Sequence, residues 1–242
     1  MFKTSWGDFM ADIKYYLEIV KDEVKSAFSN NKGILLISTL LFVVPMLMGY
    51  FYADSIGDYI KPMVDAFEKQ VEEGAITLTT HSLFINNVSV AIILYALSAL
   101  GGVLGAIILA NNGLFIGYYG VDFNIWAYLA LTLPHGIFEI PAIIIATAGG
   151  FVLLSFMLHF IWGLISPDLS YLDIFDPYFS NVKITPKQRL TASFMKNQNK
   201  LKESFIFLCI SVVLLIIAAF IEANITLPLA SWLFSSFGLS LI

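Results

Sequence analysis

Five stretches of this chain, at about 33–53, 83–110, 113–134, 137–165 and 204–223, are apolar over lengths near the roughly 20 residues that carry a helix across a bilayer. Inside hydrocarbon no water satisfies backbone N–H and C=O groups, so such stretches must close their hydrogen bonds within a helix. The runs are continuous, without the dyad alternation of a membrane β-barrel. Of the 242 residues 58% are hydrophobic and only 13% charged, against about a quarter charged in soluble domains. The fold class expected is all-α, a polytopic transmembrane helical bundle of 5–6 spans. The weakest of the stretches, 113–134, is interrupted by Asp122 and Asn124.

Two further segments read as amphipathic helices rather than spans. In residues 6–28, Phe9, Ile13, Tyr16, Leu17, Val20, Val24 and Phe28 recur at three- and four-residue steps among lysines, the pattern of a helix lying on a surface. In 54–82, Ile56, Ile60, Met63, Val64, Phe67 and Val71 form a second apolar face beside Asp54, Asp58, Asp65, Glu68, Glu72 and Glu73. The organisation expected is a cytoplasmic amphipathic segment, 1–32, followed by one transmembrane domain, 33–242. Within it, 54–82 is an outer loop and 166–203 a cytoplasmic loop. The tail 224–242 is a sixth span, a re-entrant piece or an interfacial helix. Five of the 13 Lys and Arg precede the first span, six fall in 166–203, and Lys61 and Lys69 lie between. Positive charge is retained on the cytoplasmic side, so the N-terminus is expected inside a cytoplasmic membrane. No cleavable leader is evident before the first run, which is expected to remain in the mature chain. Cys209 stands alone in an apolar run and reads as a packing residue.

The polar residues inside the apolar stretches are few. Leu133-Pro134-His135-Gly136-Ile137-Phe138-Glu139-Ile140-Pro141-Ala142 places two ionisable groups at i, i+4, neighbours on one helix face. Intramembrane ionisable residues are costly and mark functional sites by default. With a turn between 134 and 137, span order brings Asn86, Asn87, His135, Glu139, Glu222 and Asn224 to one depth near the outer face. Three readings of that cluster stay open. It is a structural network pinning helices together, a proton or ion site, or a site for zinc or another divalent cation on His135, Glu139 and Glu222. The same three residues are the candidates for catalysis.

Small residues form a second pattern. Gly101, Gly102 and Gly105 in one span, Gly149 and Gly150 in another, and Gly113 with Gly117 allow close helix approach. They serve packing within the bundle or a homodimer. Asn111-Asn112-Gly113 reads as a helix C-cap at the inner end of the second span. No H-E-x-x-H, G-x-S-x-G, phosphate-binding loop or dinucleotide fingerprint is present, and Tyr119-Gly120-Val121-Asp122 only partly resembles the aspartyl membrane-protease pattern. Enzyme status rests on the His/Glu cluster alone, and the balance is against it. Expected partners are the lipid bilayer, other membrane or envelope proteins and a second copy of the chain; no nucleic acid is expected.

Asn86-Asn87, Asn112-Gly113, the Pro-His-Gly-x-x-Glu-x-Pro-Ala block at 134–142 and Ile221-Glu222-Ala223-Asn224-Ile225-Thr226 together resemble the stage II sporulation protein M family. The resemblance covers roughly residues 30–230. It implies a multi-spanning membrane protein that works beside peptidoglycan-cleaving partners in spore formers and is not itself known to be the hydrolase. It also implies relatives in prokaryotes that never sporulate. His135, Glu139 and Glu222 fall on that family's characteristic polar positions. Three functions follow as expectations: a membrane scaffold or complex subunit, a proton- or ion-coupled transporter or lipid-moving protein, and a metal-dependent membrane hydrolase.

Overall fold

At Gly102 the backbone takes φ 70°, a conformation that residues with a Cβ rarely adopt, and the chain folds back on itself. The second apolar stretch is therefore two antiparallel helices rather than one span. A computed structural model describes residues 6–75, 77, 79–121, 123–166 and 185–237. Asp122, Lys183 and the last five residues, which entered the sequence expectations, lie outside the described residues.

The helices are α1 (Trp6–Asn30), α2 (Lys32–Phe51), α3 (Ala53–Glu72), α4 (Thr80–Gly101), α5 (Val103–Tyr119), α6 (Ile125–Ile165), α7 (Pro186–Ile221) and α8 (Leu227–Phe237). One π turn, Glu222–Thr226, joins α7 to α8. Among the described residues there is no strand, and the all-α expectation holds. By length and hydropathy α2, α4, α6 and the continuous run 186–236 can each cross a membrane, while α5 is a shorter apolar helix.

Four expected boundaries are corrected. The turn at 134–136 does not exist: α6 runs unbroken from Ile125 to Ile165, through both Pro134 and Pro141. Proline removes one backbone hydrogen bond but remains compatible with a helix buried among others. The break lies earlier, at 120–124, and Asn124 caps α6 by accepting from the Trp126 N–H. The proposed C-cap at Asn111-Asn112-Gly113 is the middle of α5. The second half of the hydrophilic stretch 166–203 is helix, started by a capping box in which Thr185 and Gln188 exchange side-chain and backbone bonds. As far as Phe237 the tail does not turn back: α8 continues α7 through the π turn and packs against α6.

Packing follows from the glycines. α2 and α5 run parallel, because a Cβ on Gly113 would strike the Phe42 carbonyl, one on Gly117 the Met46 carbonyl, and one on Gly49 the Leu114 carbonyl. A Cβ on Gly105 would collide with Ser98, closing the α4–α5 hairpin. A Cβ on Gly150 would strike the Tyr95 carbonyl and one on Gly149 would lie 3.0 Å from the Phe207 Cβ, so α6 is wedged between α4 and α7. Gly101 touches nothing in this way, so only Gly102 of that pair has a visible role.

α6 and α7 are long antiparallel partners. Their polar ties include Ser204 to the Gly149 carbonyl at 2.8 Å, Ser193 to the Phe160 carbonyl at 2.8 Å and Arg189 to the Gly163 carbonyl at 3.1 Å. α1 is fastened at the same end of α7. The buried Glu203 carboxylate accepts from Asn30 Nδ2 at 2.6 Å and Asn31 Nδ2 at 2.8 Å, and Lys202 pairs with Glu23. Tyr16, Leu17 and Val20 of α1 remain exposed.

Candidate functional site

At the other end of α7 the apolar packing opens. α3 lies against the end of α5 through Phe67, whose ring meets Phe115 at 5.5 Å and Tyr119 at 6.3 Å edge-on. Beside it α4, α5, α6 and Glu222, together with α3, line a partly open cavity of about 560 Å³. Asn86, Asn87, Asn112, His135, Glu139 and Glu222 all face it. Asn87 stands about 10 Å along the axis from the start of α4 at 1.5 Å per residue, so the cavity reaches into the bundle rather than resting on its rim.

Each ionisable side chain is placed by a local feature of its helix. His135 and Glu139 lie one turn apart on α6, and their Nε2 and Oε2 atoms are 3.8 Å apart. Pro134 and Pro141 flank them, and each removes a donor from the helix ladder. Glu222 opens the π turn, the wider helical turn that occurs mostly as a single insertion and often at functional sites. One ligand atom from each of His135, Glu139 and Glu222 lies within 4.8 Å of the others. The π turn also carries buried Thr226 to His135, Oγ1 to Nδ1 at 3.4 Å, while the same hydroxyl donates to the Ile221 carbonyl at 3.3 Å.

The carboxylates lack donors. Among the described residues no hydrogen bond reaches Glu139 or Glu222, although the Glu139 side chain is only 27% exposed. Of the neighbouring amides, Asn86 Nδ2 donates to Asn87 Oδ1 at 3.1 Å and Asn112 Nδ2 to the Ile108 carbonyl at 2.8 Å. Asn224 does not join the cluster. It is exposed and donates to the Phe220 carbonyl at 2.8 Å and Thr80 Oγ1 at 3.2 Å.

Three contributors escaped the sequence reading. Thr226 stood only within the family block 221–226 and was given no place in the site, because an isolated threonine carries no such signal until the π turn rotates it inward. Asn112 was assigned to a cap. Tyr128 donates to the Ile116 carbonyl at 2.6 Å and walls the cavity beside the Gly120 bend, where a Cβ would meet its ring at 2.8 Å. Phe123 bridges Tyr119, at 5.5 Å and tilted, to Tyr128, at 6.4 Å and stacked.

Residues 38–227 match the family described as stage II sporulation protein M. The chain belongs to that family. The matched segment starts in α2 and ends at the first residue of α8, so it contains the whole cluster. A family relative, an uncharacterized protein of Methanocaldococcus jannaschii, is 30% identical over 228 residues, covering 89% of this chain and 91% of its own. No solved structure matches. Family membership and the apolar helices together make this a membrane protein of the stage II sporulation protein M type.

Proposed function

We propose that the chain is a multi-pass subunit of the cytoplasmic membrane, N-terminus inside, that organises envelope proteins through the end of the bundle covered by α3. The observation that carries this reading is α3 itself. Its apolar side, with Ile60 fully buried, closes over the cavity while its acidic side faces outward. A helix fastened by one face and charged on the other is a surface on which a partner can dock. The lysines before α2 and in 183–202 support an inside position for the opposite end by the positive-inside rule.

The reading is tested in intact cells. With Cys209 replaced by serine, a membrane-impermeant maleimide should label Asp65→Cys and leave Lys25→Cys unlabelled. A photo-crosslinker at Glu72, on the acidic face of α3, should capture an envelope protein. Labelling of Lys25→Cys alone would invert the topology. Turnover of a substrate by the purified chain alone, abolished by Glu139→Gln, would replace the scaffold with an enzyme.

A second reading is favoured by the cavity. Two carboxylates and an imidazole lining 560 Å³ inside a bundle suit a proton- or ion-coupled transporter. Flux in proteoliposomes should then depend on pH through His135 or Glu139. Flux unchanged by His135→Ala and by Glu139→Gln would remove it.

A further inference from the structure

We propose that His135, Glu139 and Glu222 hold one divalent transition-metal ion of the zinc class, with an open coordination position facing the cavity. This deepens the proposed function by giving its polar site a ligand, and rests on the same cavity.

The charge balance points to a cation. Buried charges in proteins are paired or coordinate metals. Glu203, an acid of α7 held inside the bundle, meets that demand with two asparagine amides. Glu139 and Glu222 have no such donors among the described residues, and face each other across a gap. When both carboxylates are ionised beside a neutral imidazole, they carry a charge of minus two, which one divalent ion cancels.

The hydrogen-bond network prepares the imidazole. The Thr226 hydroxyl donates to the Ile221 carbonyl, which leaves its oxygen lone pairs to accept from the ring. That assigns the proton to Nδ1 and leaves the Nε2 lone pair directed at the carboxylates. Metal-ligating histidines are oriented this way, the second nitrogen tied to an oxygen that fixes tautomer and aim.

The spacing fits. Ligands at zinc distances of 2.0–2.2 Å stand about 3.4 Å apart on a tetrahedron. The His135–Glu139 separation of 3.8 Å and the 4.8 Å envelope of the trio close to this by small carboxylate rotations. The imidazole favours a transition ion over calcium or magnesium, which prefer all-oxygen shells. Three protein ligands with a fourth position open is the arrangement of reactive rather than structural zinc sites. The cavity on that side gives water or a polar substrate room to enter.

The test uses the full chain in detergent, stripped with chelator, loaded with zinc, desalted and measured by elemental analysis. The wild type should retain one equivalent. His135→Ala and Glu222→Gln should lose it at least tenfold, and Asn224→Ala should keep it. Thr226→Val should weaken zinc binding about 10- to 100-fold in a chelator competition, as loss of an outer-shell partner does. Helix content and a monodisperse elution profile check that each variant folds. Should a ligand variant fail to fold, cobalt loading of the wild type and Thr226→Val decides, because a site built on His135 changes its visible spectrum between them. No uptake by the wild type, or equal uptake in all variants with identical cobalt spectra, overturns the proposal. The crosslinking result is separate: a metal-free chain that still captures its partner leaves the scaffold standing, and a loaded chain that captures nothing does the reverse.

Discussion

Two glutamates on one helix, Glu203 and Glu222, stand about 28 Å apart along the axis at 1.5 Å per residue and meet their surroundings in opposite ways. Glu203, 8% exposed, is answered by the amides of Asn30 and Asn31, and Lys202 beside it pairs with Glu23. That end is a fastening, which ties α1 and the start of α2 to α7. Glu222 has no donor among the described residues, faces a second carboxylate and a histidine, and borders a cavity. A satisfied acid explains itself as structure. An acid in a cavity without a donor among the described residues is a place where a proton, metal or substrate can bind.

The severest challenge to this contrast is mechanical, since α6 spans both ends. A Cβ at Gly150 would lie 2.6 Å from Ser98 Cβ and against the Tyr95 carbonyl, with backbone that cannot yield. Gly150→Leu should cost about 3 kcal/mol or more, read as loss of the monodisperse peak and of the thermal transition in detergent. Should it instead fold with the Glu203 end intact and zinc binding abolished, the two ends are mechanically independent.

Zinc itself separates them next. A ligand at 100 times its Kd stabilises the folded state by about 2.7 kcal/mol. The thermal midpoint of the wild type should therefore rise on adding zinc, while that of Glu222→Gln should not move. Glu203→Leu should respond to zinc as fully as the wild type.

Without metal the order of the two glutamates reverses. Glu203→Leu leaves a buried asparagine amide short of an acceptor, and such groups cost about 1–3 kcal/mol each. The thermal midpoint of that variant should fall. Glu222→Gln removes a charge that lacks a counter-charge, so the metal-free variant should be as stable as the wild type or more so. Equal losses in both would erase the distinction.

Much of this was legible in the sequence, for physical reasons. Apolar run length fixes helix in hydrocarbon, so the all-α class followed directly. The i, i+4 spacing of His135 and Glu139 requires only that α6 be helical there. What was lost were the places where one residue overrides a pattern. Gly102 breaks an apolar run whose hydropathy is continuous across it, because a positive φ leaves no trace in hydropathy. Pro134 and Gly136 suggested a turn, yet α4 and α7 pack on both sides of α6 and hold the helix through them. The lysine-rich stretch before Ser204 hid five turns of α7, although Thr185 and Gln188 spelled its capping box. The π turn had no sequence signature at all, and with it went Thr226.

The smallest expected effect tests where the site ends. Asn224 lies inside the same π turn as Glu222, two residues on, and the sequence alone gave no reason to separate them. Its amide is exposed and turned outward to Thr80 and to the Phe220 carbonyl, away from the cavity. Asn224→Ala should therefore change stability by no more than about 0.5 kcal/mol, as surface substitutions do. Its zinc uptake in the elemental assay should match the wild type. A clear loss of uptake would mean that the Asn224–Thr80 bond sets the turn that aims Glu222, and that the start of α4 belongs to the site. The boundary between fastening and function on this helix would then lie outside the cavity rather than at its wall.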